Sequence, residues 1–268
     1  MIAPYRGSVL RALLFDLDGT LRHNDPPGVQ AFHQMAEDMG VASTREQRRL
    51  AERWLHAYWA QSAELEEDLR NAAGQPGPFW TQHARRHLRH LGAGEDLLER
   101  LARTLTHRML REYQPVSRVP DGVFATLELL RADGFKLGLV SNREEGLAQA
   151  AADLGLAGFF DLMLAAGEVG LWKPDPRLLL GAVSAMSVSP EQAAYVGDNY
   201  FADVVCARGA GLMPILLDPD ELYSEPECPV IRSIEELPLT LSRLAASACS
   251  PGMRSHGKDP MPGVARPR

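Results

Sequence analysis

The chain has 268 residues, 45% of them hydrophobic and 24% charged, which is a globular composition long enough for one large domain or two small ones. A formal charge of −7 gives no overall field to attract nucleic acid or an anionic membrane, so neither is expected as a partner. The three cysteines, Cys206, Cys228 and Cys249, lack metal-type spacing and fit a reducing compartment rather than a disulfide framework.

The opening segment, MIAPYRGSVLRALLFDLD, is too short and too charged for a signal peptide or a spanning helix. A cytoplasmic location is therefore expected. Residues 9–15 form a short apolar run, broken only by Arg11, that predicts a buried strand. No strand is predicted across residues 21–118. Instead, helical patterns start at residue 29, at a Ser43-x-x-Glu46 capping box, at residue 79 and around Leu98, which together suggest a four-helix bundle. The second pattern runs through Trp54, Tyr58, Leu65 and Leu69 to the break at Gly74-Gln-Pro-Gly-Pro78. Pro26-Pro27-Gly28 at one edge and Pro115 and Pro120 at the other suit two hinges.

From residue 120 to 220, apolar runs at 135–140, 160–165, 193–196 and 213–217 alternate with helical patterns. This alternation predicts a parallel sheet with helices on its faces. Residues 1–20 and 119–245 then form an α/β core, Rossmann-like with three layers. Residues 21–118 form an inserted helical cap, and 246–268 form a disordered tail rich in Pro, Gly, Ser and Arg.

Ligands of parallel α/β sheets bind outside the carboxyl ends of the strands. Four polar clusters fall there: Asp16-Leu-Asp18-Gly-Thr20, Ser141-Asn142, Lys173-Pro-Asp-Pro176, and Gly197-Asp198-Asn-Tyr-Phe-Ala-Asp203. Packed acids repel one another unless a cation joins them, and oxygen ligands without His or Cys point to Mg²⁺. Lys173 suits the far side of a bound anion, so the site is expected to hold phosphate plus Mg²⁺. The absence of GxxxxGKS/T excludes P-loop chemistry. Residues two apart at a strand end can face the same side. Asp16 is thus expected to attack phosphorus, and Asp18 to protonate the leaving oxygen and later deprotonate water.

These motifs, in this order and spacing, resemble those of the haloacid dehalogenase-like hydrolases. DLDGT matches DxDx(T/V), Ser141 matches the second motif, Lys173 in KPDP the third, and GDNYFAD the GDxxxxD form of the fourth. The resemblance implies a phosphomonoester phosphatase acting on a small phosphorylated metabolite, with a phosphosugar mutase as the alternative. It implies that Asp16 is nucleophile and metal ligand. Asp18 is acid/base and gives its backbone carbonyl to the metal, while Thr20 positions Asp18. Ser141 holds the phosphoryl group and Lys173 stabilises its charge. Asp198 binds Mg²⁺, and Asp203 supports it directly or through water. Asn142 either contacts phosphate or caps the next helix. Dehalogenase relatives lack the acids at Asp18, Asp198 and Asp203, which favours the phosphatase. Oligomeric state stays open.

Elsewhere, Asp175 reads as an N-cap before Pro176, and Cys206 as a small core residue. His83, His87 and His90 share a helical face, but TQHARRHLRH reads as a solvated basic surface rather than a zinc site. Trp54, Tyr58 and Trp59 read as bundle core.

Overall fold

The computed structural model describes residues 10–249. In chain order it holds β1 (Ala12–Phe15), β2 (His23–Asp25), α1 (Gly28–Asp38), α2 (Arg45–Trp59), α3 (Ala63–Ala72), α4 (Pro76–His90), α5 (Glu95–Glu112) and β3 (Val116–Arg118). It continues with α6 (Val123–Ala132), β4 (Lys136–Ser141), α7 (Leu147–Asp153), β5 (Leu162–Ala165), α8 (Ala166–Val169) and α9 (Pro176–Ala185). The last part holds β6 (Ala193–Gly197), α10 (Val205–Ala210), β7 (Met213–Leu217), β8 (Val230–Ile231) and α11 (Leu237–Cys249). The predicted disordered tail lies outside the described residues from 250 onward; before that, α11 runs on to Cys249.

Six parallel strands form one sheet in the order β5-β4-β1-β6-β7-β8. Strand β1 is buried at all four positions, because strands pair on both edges and helices cover both faces. Alternate residues serve opposite cores. Leu13 and Phe15 pack with Val123, Leu127 and Leu147 from α6 and α7. Ala12 and Leu14 pack with Leu178, Leu179 and Ala207 from α9 and α10. Phe15 lies in register with Leu139 of β4 and Val196 of β6, so the motifs that follow these strands emerge side by side. The chain leaves β1 toward β4 and β5, then returns to the other side for β6 and β7, and that reversal opens a crevice at the strand ends.

The predicted all-helical insertion needs two corrections. First, β2 and β3 form an antiparallel pair, His23 opposite Arg118, at the two chain crossings. HND and VSR are three-residue polar strands with no alternation to read. Second, there are five helices rather than four. The long pattern breaks at Gln61, which has a φ of 56°, and Ser62 then caps α3 by accepting from Leu65 N at 3.1 Å. The capping box of α2 is shifted by one residue. Thr44 Oγ1 accepts from Gln47 N at 3.2 Å, and Gln47 Oε1 accepts from Thr44 N at 2.8 Å. Helix α4 begins at Pro76, inside the expected break, because proline suits the first turn.

The helices enclose their own core of Phe32, Ala51, Leu88, Leu98 and Leu105. Arg86 ties α3 to α4 by hydrogen-bonding Asp68, Glu64 and Glu67, with its Nε 2.9 Å from the buried Asp68 Oδ2. Helix α2 rests on the α/β core. Asn199 Nδ2 donates to His56 O at 2.9 Å, Tyr223 Oη lies 2.9 Å from His56 Nδ1, and Arg49 donates to Leu222 O.

Candidate active site

One crevice of about 840 Å³ receives Asp16, Asp18, Ser141, Asn142, Lys173, Asp198 and Asp203, which are all seven residues singled out from the sequence. Asp16 directly follows β1, and its N–H donates to Val196 O at 2.9 Å, which holds the first motif against β6. Asp16, Asp198 and Asp203 each offer a carboxylate oxygen within 4.8 Å of the others, the one metal-type cluster among the described residues. Lys173 Nζ lies beside them. It donates to Asp16 Oδ1 at 2.8 Å, Asp203 Oδ1 at 2.6 Å and Tyr195 Oη at 2.8 Å.

Backbone geometry makes this closeness possible. Gly19 has a φ of +88°, and a Cβ there would fall 2.3 Å from Asp198 Oδ2. A Cβ at Gly197 would fall 2.3 Å from Asp203 Oδ2. The predicted helix after β6 starts instead as a single π-turn, Tyr200–Val204, before α10. Asn199 caps it, accepting from Phe201 N at 3.0 Å and Ala202 N at 3.1 Å. That turn returns Asp203 toward β6, where its Oδ2 accepts from Asn199 N at 2.8 Å.

The electrostatics follow from this packing. Burial pushes Asp16 up to about 6; Lys173 opposes the rise, and Asp203 adds to it. Burial, then the charges of Asp203 and Asp16, push the half-buried Asp198 well above the usual carboxylate range. Burial works against the Lys173 ammonium, but Asp16 and Asp203 outweigh it and hold the group charged. Three carboxylates facing one ammonium leave a surplus of negative charge, and all the donors are hard oxygens. That donor set fits Mg²⁺.

Several expected neighbours take different partners. Thr20 Oγ1 donates to Asp198 Oδ1 at 3.2 Å and does not position Asp18 by that hydroxyl. Asp18 is held by Arg143, Nε to Oδ2 at 2.6 Å, and by Arg22, Nη1 to Oδ1 at 2.9 Å. Burial tends to raise its pKa, but the two guanidiniums outweigh burial and lower it. Asn142 neither caps a helix nor leaves its amide free. Its Oδ1 accepts from Lys173 N at 2.7 Å, and its Nδ2 donates to Lys173 O at 2.9 Å. It clamps the backbone of the lysine. Ser141 ends β4, buried, on the crevice wall.

Sequence reasoning missed Arg143 and Tyr195. Arg143 follows Ser141-Asn142 directly, which was the available signal. Tyr195 is an inward β6 residue whose hydroxyl donates to Val140 O at 2.7 Å and accepts from Lys173. Asp175 caps α9 by accepting from Arg177 N at 2.9 Å, and Cys206 is fully buried, both as expected.

Residues 10–211 match the haloacid dehalogenase-like hydrolase family. The chain belongs to that family. A phosphoserine phosphatase of Thermus thermophilus is 32% identical over 237 residues, which cover 81% of this chain and 92% of the relative. An (S)-2-haloacid dehalogenase of a Pseudomonas species is 28% identical over 240 residues, 88% of this chain and 98% of the relative. The solved structure of a 2-haloacid dehalogenase from Pseudomonas syringae aligns at a TM-score of 0.51 and 26% identity, covering 88% of this chain and 99% of that one. This haloacid dehalogenase-like hydrolase therefore has relatives named for two chemistries, and its own site has to choose between them.

Proposed function

We propose that this hydrolase is a Mg²⁺-dependent phosphomonoester phosphatase working through an aspartyl-phosphate. One observation carries the choice: Asp16, Asp198 and Asp203 gather within 4.8 Å around one ammonium. Displacing a halide from carbon needs one carboxylate nucleophile and no cation site. Moving a doubly charged phosphoryl group calls for a site that binds a divalent cation and compensates anionic oxygens. When bound to these carboxylates, Mg²⁺ supplies charge neutralisation for the cluster and for the phosphoryl oxygens.

Asp16 Oδ attacks phosphorus, and the bond from phosphorus to the leaving oxygen breaks. Asp18, which must first take up a proton against the pull of Arg143 and Arg22, gives it to that oxygen, and the alcohol departs. Asp18 then takes a proton from water as the water oxygen attacks phosphorus, which releases inorganic phosphate and restores Asp16. Lys173 and the Ser141 hydroxyl hold phosphoryl oxygens. Asn142 and Tyr195 keep Lys173 in place.

The test is hydrolysis of p-nitrophenyl phosphate. Activity should require Mg²⁺, vanish in EDTA and fall to background in Asp16→Asn. Full activity in EDTA would sink the metal reading, and metal-independent halide release from 2-haloacids would establish the dehalogenase instead.

A further inference from the structure

Helix α2 ends beside the catalytic crevice, where His56 and Trp59 form part of the wall together with Asn199 and Asp203. The last four carbonyls of a helix have no partner within it, and in α2 these belong to His56, Ala57, Tyr58 and Trp59. The chain that follows takes up two of them: Ala60 N donates to Ala57 O at 3.2 Å, and Ser62 N to Tyr58 O at 3.4 Å. His56 O is served from outside the helical layer. Asn199 Nδ2 donates to it at 2.9 Å, from 143 positions along the chain.

The same amide serves a second element end. Asn199 Oδ1 accepts from Phe201 N and Ala202 N and so caps the turn that carries Asp203. Its backbone brackets Asp203 as well: Asn199 N donates to Asp203 Oδ2 at 2.8 Å, and Asp203 N donates to Asn199 O at 2.7 Å. Donors meet one end of the amide and a carbonyl meets the other, so its orientation is fixed. One side chain thus joins the end of α2 to the loop that places two of the three clustered carboxylates, Asp198 and Asp203. Around it, Tyr223 Oη lies 2.9 Å from His56 Nδ1, and the Arg53 guanidinium lies 5.4 Å from the centre of the Tyr223 ring. A helix carries roughly half a negative charge at its C-terminal end. In α2 that end repels the carboxylates and attracts a cation held by them, so its docking and the filling of the cluster are linked.

We propose that Asn199 is a positioning residue that makes the docked end of α2 part of the cation site, so that Mg²⁺ binding at Asp16, Asp198 and Asp203 and docking of α2 strengthen each other. The inference rests on the Mg²⁺ reading of the cluster. Coupling between two binding events is reciprocal, so each can be read from the other. Groups that orient metal ligands change metal affinity by about 10–100-fold when they are lost.

The test uses Asn199→Ser, which keeps a capping oxygen for the turn and removes the donor to His56 O. Calorimetric titration of the full chain with MgCl₂ should show a Kd raised by about tenfold. Hydrogen exchange read by mass spectrometry gives the reciprocal measurement. Mg²⁺ should slow exchange in the last turn of α2 in the parent protein and leave it unchanged in the variant. Tyr223→Phe keeps the ring and removes the hydroxyl from His56, and it serves if the first variant does not fold by circular dichroism. A residue that only stabilises the fold would lower the urea midpoint in EDTA while leaving Mg²⁺ affinity and the effect of Mg²⁺ on α2 as in the parent. That result overturns the proposal, as does exchange in α2 that is indifferent to Mg²⁺ in the parent. If the parent takes up no Mg²⁺, the Mg²⁺ reading itself fails and the proposal falls with it; uptake with an unchanged Kd in the folded variant overturns the proposal alone.

Discussion

Lys173→Met tests the electrostatic design of the crevice. The side chain is 2% exposed and gives three hydrogen bonds, at 2.8 Å to Asp16, 2.6 Å to Asp203 and 2.8 Å to Tyr195. Methionine keeps the apolar stem and removes every donor. Removing one partner of a buried ion pair costs about 3–5 kcal/mol, because the other charge is left uncompensated. Here two carboxylates are orphaned at once, but they can take up protons, which limits the cost. We expect a loss of about 4 kcal/mol at pH 7.5 in EDTA, and for a chain of this size about 8–16 °C in Tm. The pH dependence has a definite sign. Burial already lifts Asp16 to about 6 with the lysine present, and losing the lysine lifts it further. A carboxyl raised in the folded state destabilises the fold above its pKa and ceases to do so once protonated. The deficit relative to the parent protein should therefore be smaller at pH 5.5 than at pH 7.5. Urea denaturation followed by circular dichroism measures both values. Adding Asp203→Asn to Lys173→Met removes one orphaned charge and should recover about 1 kcal/mol or more, a coupling expected only of contacting groups. A variant as stable as the parent in EDTA, or a deficit indifferent to pH, refutes this reasoning.

Arg143→Ala should raise the pKa of Asp18, because the guanidinium that lowers it is gone while Arg22 remains. The limb of the kcat/KM–pH profile governed by Asp18 should move to higher pH, and an unmoved limb would separate Asp18 from the acid/base role. In acid, the helical layer should weaken as pH falls from about 6.5 toward about 4. Burial holds His33 and His83 near 4, so the unfolded chain binds those protons first. His83 alone accounts for about 3 kcal/mol of this loss, to be read as a shallower pH slope of urea denaturation in His83→Leu.

How much the sequence reveals depends on how far apart the interacting residues lie. Strands β1, β4 and β6 are apolar runs that end in polar motifs, so both the strand and the site residues at its end can be read locally, whereas the two-residue β8 leaves no run to read. Register then brings the seven expected residues to one crevice without any further signal. The insertion is harder to read. The break between α2 and α3 contains neither Gly nor Pro, and its left-handed Gln61 leaves no compositional mark; only Ser62 hinted at a new cap. The basic stretch 81–90 misled through composition. Arg89 and His90 are exposed as expected, whereas His83 and His87, four apart, turn their shared face to the buried side. Trp59, read as core, is instead exposed toward the crevice.

The arginines around Asp18 show why some chemistry cannot be read from motif spacing. Arg143 reaches Asp18 across 125 residues, from a position that only the pairing of β4 with β1 defines. Arg22 and its partners Asp18 and Asn24 are close in sequence, but its third partner is not: it donates to Ser117 Oγ, on β3, at 2.7 Å. The same guanidinium therefore touches the expected acid and the strand through which the chain returns from the helical layer. Motif spacing identifies Asp18 as a carboxylate in the right place. Its charge state is set by two distant returns of the chain, one through the sheet and one through the β2–β3 pair. A shift of either connection alters the proton affinity of Asp18 while every motif residue stays where it is.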